Sequence, residues 1–268
     1  MFTAVDEIKR HLKLIAAYFQ YNLSAVMEYR TSFLVQVFGM VLNNASFIFF
    51  WKVVYARIPL IAGYSFEDVM FLWALVSASF GVAHILFGNC SSLSRIIIQG
   101  ELDSYLLQPK DVYVNVICSR TIVSAWGDLG YGIVLYLLTF GFSPGRLVLF
   151  IGFVLLGGLL FASVKFAAET LTFYVGSAST IGRTISEFML SFSIYPEGIF
   201  GQGVRWMMYS LVPAGFLAFL PYRIYSSFSA KHLLLLLVVD LLYVVAGYMF
   251  FRAGLRRYES VNLVVTRV

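Results

Sequence analysis

Long apolar stretches, separated by short polar turns, fill most of the chain after residue 30. Stretches of about the 20 residues needed to cross the hydrocarbon core of a bilayer cover residues 33–54, 69–87, 112–140, 147–164 and 233–251. These stretches are continuous, whereas the strands of a membrane barrel would alternate between apolar and polar positions. Helices satisfy their own backbone hydrogen bonds in lipid. The pattern therefore predicts an all-α polytopic membrane protein.

The apolar pattern is interrupted between residues 176 and 221. A short apolar piece at 188–194 ends at Tyr195-Pro196-Glu197-Gly198, and the next piece, 206–220, contains a proline. Irregular backbone at membrane depth is tolerated only where protein or water covers it. We therefore predict a fifth span followed by short helices that enter the membrane partway, which gives six transmembrane helices. The re-entrant segment is residues 195–221, with candidate residues Tyr195, Pro196, Glu197 and Arg205.

The first 30 residues follow a different period. Apolar side chains recur every three or four positions from Ile8 to Val26, whereas Lys9, Arg10 and Lys13 lie elsewhere on the helical wheel. This pattern predicts an amphipathic helix in the headgroup layer, and a helix packed on a soluble partner would show the same pattern. Because the first long apolar run begins only near residue 31, we expect no cleaved signal peptide. Residues 1–30 are assigned to this interfacial helix and 31–268 to the transmembrane domain.

Composition and charge support a membrane location and give an orientation. Of the 268 residues, 60% are hydrophobic and only 12% are charged, whereas about a quarter are charged in soluble domains. With six spans, 13 of the 19 lysines and arginines lie on the side of the termini. The positive-inside rule then places both termini and residues 91–111 in the cytoplasm, with the chain in a bacterial inner membrane. The net charge of +5 follows from this asymmetry, so no nucleic-acid partner is expected.

Residues 91–111, between the second and third spans, are too charged to insert but have a helical period. The period predicts two surface helices that are broken at Gly100 and ended by Pro109. We expect Leu102, Leu106 and Leu107 to face one way, as a docking helix whose side chains enter a groove on a soluble partner. The alternative is a cap on the bundle at the membrane surface. The candidate docking residues are Gly100, Glu101, Leu102, Asp103, Leu106, Leu107 and Pro109.

Several polar side chains fall at membrane depth: Asn43, Asn44, His84, Asp128 and Asp240. An unpaired charge there costs about 2.5 to 3.5 kcal/mol on insertion scales, so each aspartate needs water, a partner or a proton. The aspartates are interpreted either as parts of a proton or substrate path or as buried hydrogen-bond anchors between helices. The asparagines have the same two interpretations. The histidine is expected to be packed.

Motifs for nucleotide binding and catalysis are absent from the sequence. It contains no Gly-x-x-x-x-Gly-Lys-Ser/Thr loop, so the chain is not expected to hold nucleotide phosphates in that manner. It contains no His-Glu-x-x-His, and its single Gly-x-Ser-x-Gly match, at residues 141–145, is predicted to be a turn between two apolar spans. Cys90 and Cys118 have no metal-ligand spacing to the histidines. We therefore expect no catalytic residue, no metal site and no cofactor in this chain.

The stretch Gly100-Glu101-Leu102-Asp103-Ser104-Tyr105-Leu106-Leu107-Gln108-Pro109 resembles the cytoplasmic loop of the ABC-2 type permeases, in particular their antibiotic and multidrug export branch. The Tyr195-Pro196 break and the tail Leu255-Arg256-Arg257-Tyr258-Glu259-Ser260 are similar to that branch as well. The similarity in layout covers nearly the whole chain, from the amphipathic helix to the basic tail. The order and spacing of these short motifs carry the resemblance.

The resemblance implies a transmembrane permease subunit that pairs with a second permease, the same or a sister chain. Two copies of a cytoplasmic ABC ATPase, which would hold ATP and Mg²⁺, drive such a subunit. By the same resemblance, residues 6–29 and 91–110 contact the ATPase, and 195–221 re-enters from outside. The expected cargo is an amphipathic drug, antibiotic or lipid-like molecule. The alternative is a proton-coupled secondary transporter that uses Asp128 and Asp240, although the two halves of the chain show no visible repeat.

Overall fold

A computed structural model describes residues 4–259, and it describes their side chains from residue 9 onward. About 80% of the structure is helical, and no strand is formed within residues 4–259. The predicted all-α fold is therefore confirmed. The first three residues of the interfacial segment, and the tail from Ser260 with Arg267, lie outside the described residues.

Two long helices open the fold. α1, Ala4–Glu28, is the predicted amphipathic helix, and α2, Arg30–Tyr55, contains the predicted first span. Most of α2 faces away from the chain, since within it only Asn44, Trp51 and Tyr55 are buried. The remaining α-helices of residues 4–259 are α3 Phe66–Leu86, α4 Leu93–Ile98, α5 Leu102–Leu106, α6 Val112–Cys118, α7 Ala125–Phe140, α8 Pro144–Thr170, α9 Thr172–Val175, α10 Ser179–Ser193, α11 Gln202–Met208, α12 Leu220–Ser226 and α13 Ala230–Leu255.

Local chemistry fixes several helix ends. α3 begins with a capping box, in which the Ser65 hydroxyl accepts from the backbone N–H of Asp68 and the Asp68 carboxylate accepts from the backbone N–H of Ser65 at 2.8 Å. α7 ends at Gly141, whose φ of +70° is costly for other residues. α8 begins with Pro144, which needs no backbone donor in the first turn.

Within residues 4–259, four helices are long and apolar enough to cross a membrane: α2, α3, the combined α8–α9 (Pro144–Val175) and α13. α7 is a shorter apolar helix. The predicted fifth span corresponds to α10, which has 15 residues. The membrane-spanning character of the chain agrees with the sequence, while the count of six spans stays a prediction.

The predicted third span, residues 112–140, is not one continuous helix. It is divided into α6 and α7 by irregular backbone at residues 119–124. The turn after α3 satisfies backbone groups at this break: the Asn89 amide donates to the carbonyl of Val116 at 3.0 Å, and the backbone N–H of Gly88 donates to the carbonyl of Arg120 at 3.0 Å. Hydropathy alone cannot show such a break, because the backbone carbonyl groups at the break accept hydrogen bonds from residues about 30 positions earlier in the chain.

α3 lies at the centre of the bundle and is buried along nearly its whole length. It packs on α7 through small residues that let the two backbones approach closely. A Cβ added to Gly132 of α7 would lie 2.5 Å from the carbonyl oxygen of Ala74, and one added to Gly81 would lie 2.6 Å from the backbone nitrogen of Leu129. On its other sides α3 meets α8 and α2. The aromatic core includes Tyr136 stacked on Phe150, with ring centroids 4.1 Å apart.

The two ends of the bundle differ. One end, here called the α4–α5 end, gathers α1, α4, α5, α6 and the C-terminal turn of α13, with Tyr18 bonded to Asn115 and Tyr258 bonded to Asp103. The opposite end, here called the α11–α12 end, gathers the turn at residues 56–65 and the two short helices α11 and α12. There the rings of Tyr64 and Tyr222 lie 5.3 Å apart.

Candidate functional site

The segment between α3 and α6 forms two short helices, as the sequence predicted. Gly100 separates them with φ +72°, a conformation that favours glycine. Arg95 and Glu101 form an ion pair across this turn, with Nη1 and Oε1 2.5 Å apart. Pro109 follows α5 and precedes α6. The candidate residue Glu101 therefore holds the angle between α4 and α5.

The three leucines expected to face one way do not do so. Leu102 is fully buried among α6 and α8 residues, whereas Leu106 is 43% exposed and Leu107 is 87% exposed. Burial falls along the axis of α5, because the helix begins against the bundle and runs outward from it. The prediction that all three leucines enter a groove on a partner is therefore wrong for Leu102, whose side chain is buried within its own chain. Ile98 of α4, 49% exposed, is an apolar residue at this surface that the sequence analysis did not single out.

Polar contacts connect α4 and α5 to the long helices. The buried carboxylate of Glu169, on α8, accepts from the backbone N–H of Ser94 in α4 at 2.8 Å. The Tyr258 hydroxyl, just after α13, donates to the Asp103 carboxylate at 3.0 Å. Burial first, and then Asp103, raise the pKa of Tyr258 to about 12, so this hydroxyl remains a donor at neutral pH. Tyr258 lies in the tail 255–260 that resembles the permease branch, whereas no pattern in the sequence singled out Glu169.

Residues 108–115 add further contacts to the same end. The Tyr248 hydroxyl of α13 donates to the Asp111 carboxylate at 3.0 Å, and the Asn115 amide donates to the Gln108 side chain at 3.0 Å. Asn115 also accepts from the Tyr18 hydroxyl of α1. The interfacial helix α1 is therefore held against the α5–α6 segment of its own chain.

The intramembrane polar residues separate into different environments. The Asn44 amide of α2 donates to Oδ1 of Asp128 in α7 at 2.7 Å, and both side chains are buried. Asn43, its neighbour, is exposed. His84 is buried, with one ring nitrogen 3.0 Å from the Phe80 carbonyl oxygen and the other 3.1 Å from the Ser91 hydroxyl. This histidine is packed and hydrogen-bonded within its own chain.

Asp240 of α13 is also buried, and neither of its carboxylate oxygens has a hydrogen-bond partner within residues 9–259. No hydrogen bond or ion pair joins it to Asp128 in the part of the chain that the structure describes. The two aspartates that the sequence grouped together therefore do not form one polar cluster. A cavity of about 210 Å³ lies beside Asp128, between α2, α3, α7 and α10.

The segment predicted to re-enter the membrane folds into α11, a π-helical turn at Gly215–Phe219 and α12. Glu197, at its start, is buried and accepts from the Tyr209 hydroxyl at 3.0 Å and from Arg223 at 2.6 Å. Arg205 instead bonds to the carbonyl oxygens of Phe200 and Gly198, at 3.0 and 3.2 Å. Glu197 and Arg205 were predicted from the sequence, whereas Tyr209 and Arg223 were not.

The other two candidate residues of this segment lie at its entry. Pro196 is buried, and the Tyr195 ring contacts the Trp51 ring of α2 edge-on, with centroids 5.7 Å apart. A Cβ added to Gly198 would lie 2.6 Å from the Cβ of Ala62, so this entry packs tightly against the 56–65 turn.

A comparison with known proteins covers most of the helices described above. A family model described as ABC-2 family transporter protein matches residues 40–262, which run from within α2 to beyond α13 and leave out α1. None of the curated proteins and none of the solved structures matches the chain.

Proposed function

The chain belongs to the ABC-2 transporter family, and we propose that it is the permease subunit of an ATP-binding-cassette exporter. Such a subunit moves amphipathic small molecules out of the cytoplasm, and a separate ATPase supplies the energy. The observation that carries the proposal is the α4–α5 pair. It exposes Leu106 and Leu107 while Glu169, Tyr248 and Tyr258 tie the same segment to α8 and α13.

This arrangement suits force transmission. A rigid pair of helices with apolar side chains at its outer end can enter a groove on a partner. Closure of two ATPase subunits on ATP would push α4–α5, and the buried Glu169–Ser94 contact would pass the movement to α8. The tyrosine contacts would pass it to α13, and Leu102 would pass it to the α6 region. The consequence is a tilt of the spanning helices that turns an inward-facing path outward.

The orientation follows from the two ends of the bundle. α1, α4, α5 and the end of α13 share one end, which carries most of the lysines and arginines in the six-span assignment. This end faces the cytoplasm of a bacterial inner membrane by the positive-inside rule. The six spans are α2, α3, α6–α7, α8–α9, α10 and α13. Residues 195–221 then re-enter from the outer side and close the exit.

The partners follow from the same assignment. A cytoplasmic ATPase dimer would dock at α1 and α4–α5 and hold ATP and Mg²⁺, while this chain itself holds no cofactor and catalyses no reaction. A second permease subunit, the same or a sister chain, would complete the path. The apolar side of α2 supports such pairing, because Leu34, Phe38, Leu42 and Phe49 are all more than half exposed.

Asp240 is the observation that favours a second candidate function, a proton-coupled secondary transporter. Its buried carboxylate has no hydrogen-bond partner within the described residues, and such groups mark proton paths in membranes. Transport by reconstituted chain that runs on a proton gradient without any ATPase would establish this second candidate and remove the first.

The docking surface gives the direct test of the exporter. The variant Leu106→Asp with Leu107→Asp should insert into the membrane normally but lose the ATPase that copurifies with wild-type chain from its natural host. The matched control is Leu60→Asp, since Leu60 is 64% exposed in the turn at the opposite end. This control should retain the ATPase. Unchanged copurification by the double variant would show that α5 only caps the bundle.

A further inference from the structure

The cavity beside Asp128 has walls of mixed chemistry. Its aromatic side chains are Phe47, Trp73 and Phe80, and the Phe47 and Trp73 rings stack with centroids 4.4 Å apart. The polar residues on its walls are Asn43, Asn44, Ser77 and Asp128. Asn43 and Phe47 are exposed, so the cavity is open along α2. Among the side chains that the structure describes, no lysine or arginine lines it.

One oxygen in this cavity wall has no protein partner. Asn44 donates to Oδ1 of Asp128, whereas Oδ2 is inaccessible to solvent and is unbonded throughout the described residues. Asp128 as a whole is 3% exposed. The indole N–H of Trp73, on the same cavity, likewise has no acceptor within residues 9–259. A buried carboxylate with an oxygen that lacks a donor is energetically costly in its charged form, so a positive charge in the adjoining cavity would stabilise it.

The chemistry of the walls indicates which ligand supplies that charge. In an apolar surrounding, the charged form of a carboxylic acid is stabilised by an opposite charge nearby. Aromatic faces beside it attract cations through the ring quadrupole and also accept apolar groups. A site that combines one carboxylate, three aromatic rings and no basic side chain therefore matches an organic cation and disfavours an anion.

We propose that this cavity binds an amphipathic organic ammonium, with its charged nitrogen beside the Asp128 carboxylate and its apolar part against Phe47, Trp73 and Phe80. The identification of this ligand as the exported cargo rests on the proposed function. The binding of the ligand does not depend on that function, because every residue of the site belongs to this chain.

The test is equilibrium binding of radiolabelled 2-phenylethylammonium to purified chain in lipid nanodiscs, with no ATPase present. Wild-type chain should bind it, and the uncharged analogue 2-phenylethanol should not displace it at equal concentration. Asp128→Asn keeps the shape and the Asn44 contact, and it should weaken binding about tenfold or more, as expected when the opposite charge beside the ammonium is removed. Phe47→Leu, at a position that is 38% exposed, should weaken binding several-fold while the chain folds normally.

The matched control is Asp240→Asn, which removes a second buried carboxylate from a residue that does not line the cavity. The affinity of the Asp240→Asn variant for 2-phenylethylammonium should equal that of wild-type chain. Equal binding by Asp128→Asn, equal competition by the alcohol, or a matching loss in Asp240→Asn would overturn the proposal. If wild-type chain does not bind 2-phenylethylammonium while an ATPase still copurifies with it, the proposed cargo class is wrong and the exporter proposal stands. If the chain binds the ligand but no ATPase copurifies with it, the exporter proposal is wrong and the binding site stands.

Discussion

The carboxylate of Glu169 accepts a hydrogen bond from the backbone N–H of Ser94 at 2.8 Å, although 75 positions separate the two residues. Ser94 lies in the first turn of α4, where backbone N–H groups have no acceptor within the helix. Glu169 is 2% exposed, in the last turn of α8. One buried contact therefore joins the outer helices of the α4–α5 end to a membrane-spanning helix.

Removing this contact should loosen the α4–α5 pair. Glu169→Ala leaves the Ser94 N–H without its acceptor in a buried site, at a cost of about 1–3 kcal/mol. The free energy of unfolding in mixed micelles should fall by that amount, and amide exchange should rise in residues 93–106. The control is Glu101→Gln, which breaks an ion pair whose side chains are 44% and 43% exposed and which should change stability by about 1 kcal/mol or less. Equal effects from the two variants would contradict the special role of Glu169.

The hydroxyls of Tyr248 and Tyr258 should matter for coupling more than for assembly. The double variant Tyr248→Phe, Tyr258→Phe removes the donors to Asp111 and Asp103 but keeps both rings. Each lost bond should cost about 0.5–1.5 kcal/mol, so the ATPase should still copurify while less cargo moves per ATP hydrolysed. Tyr21→Phe is the control, since Tyr21 is 72% exposed on α1. An unaltered ratio of cargo to ATP in the double variant would show that the two hydroxyls do not transmit movement.

Two glycines of α7 should differ sharply in their tolerance of larger residues. A Cβ on Gly132 would lie 2.5 Å from the Ala74 carbonyl oxygen, whereas one on Gly130 would meet nothing within 4 Å. Gly132→Leu should therefore force α3 and α7 apart, at a cost of about 1–3 kcal/mol or more. Gly130→Leu should be close to neutral. Thermal unfolding of the two purified variants checks this, and equal melting temperatures would refute the close packing of the two helices.

The ion pair between Glu197 and Arg223 should show strong coupling in a double-mutant cycle. Arg223→Gln leaves a buried carboxylate with only Tyr209 as partner and should cost about 1–3 kcal/mol, even though the Arg223 side chain is itself 53% exposed. Glu197→Gln in the same background should recover part of that loss. The coupling energy, taken from unfolding of the four proteins, should be about 0.5–3 kcal/mol. A value of zero would mean that the pair does not hold α12 to the start of the 195–221 segment.

The sequence located the candidate segments better than it located the contacts within them. Gly100 and Pro109 marked the limits of α5 because turn-forming residues act locally. By contrast, Leu102 and Leu106 occupy neighbouring positions on a helical wheel, yet one is buried and the other is exposed. The tilt of α5 against α6 and α8 decides that difference. A helix of five residues is too short for its hydrophobic period to show which leucine is buried.

The sequence by itself determined the class of protein and the positions of its long apolar helices, since apolar length and charge distribution are sums over neighbouring residues. The α-helical membrane fold, the amphipathic first helix and the family resemblance all come from that level. Only the tertiary structure decided that the predicted third span is broken where Asn89 and Gly88 contact it. The same holds for the hydrogen bond from the first turn of α4 to Glu169. It also decided that Asp128 contacts Asn44 and lines a cavity, whereas Asp240 does not line that cavity. Each of these contacts joins groups that are far apart in the chain. The groups come within hydrogen-bonding distance only after the helices have packed closely, which small residues at the helix interfaces allow.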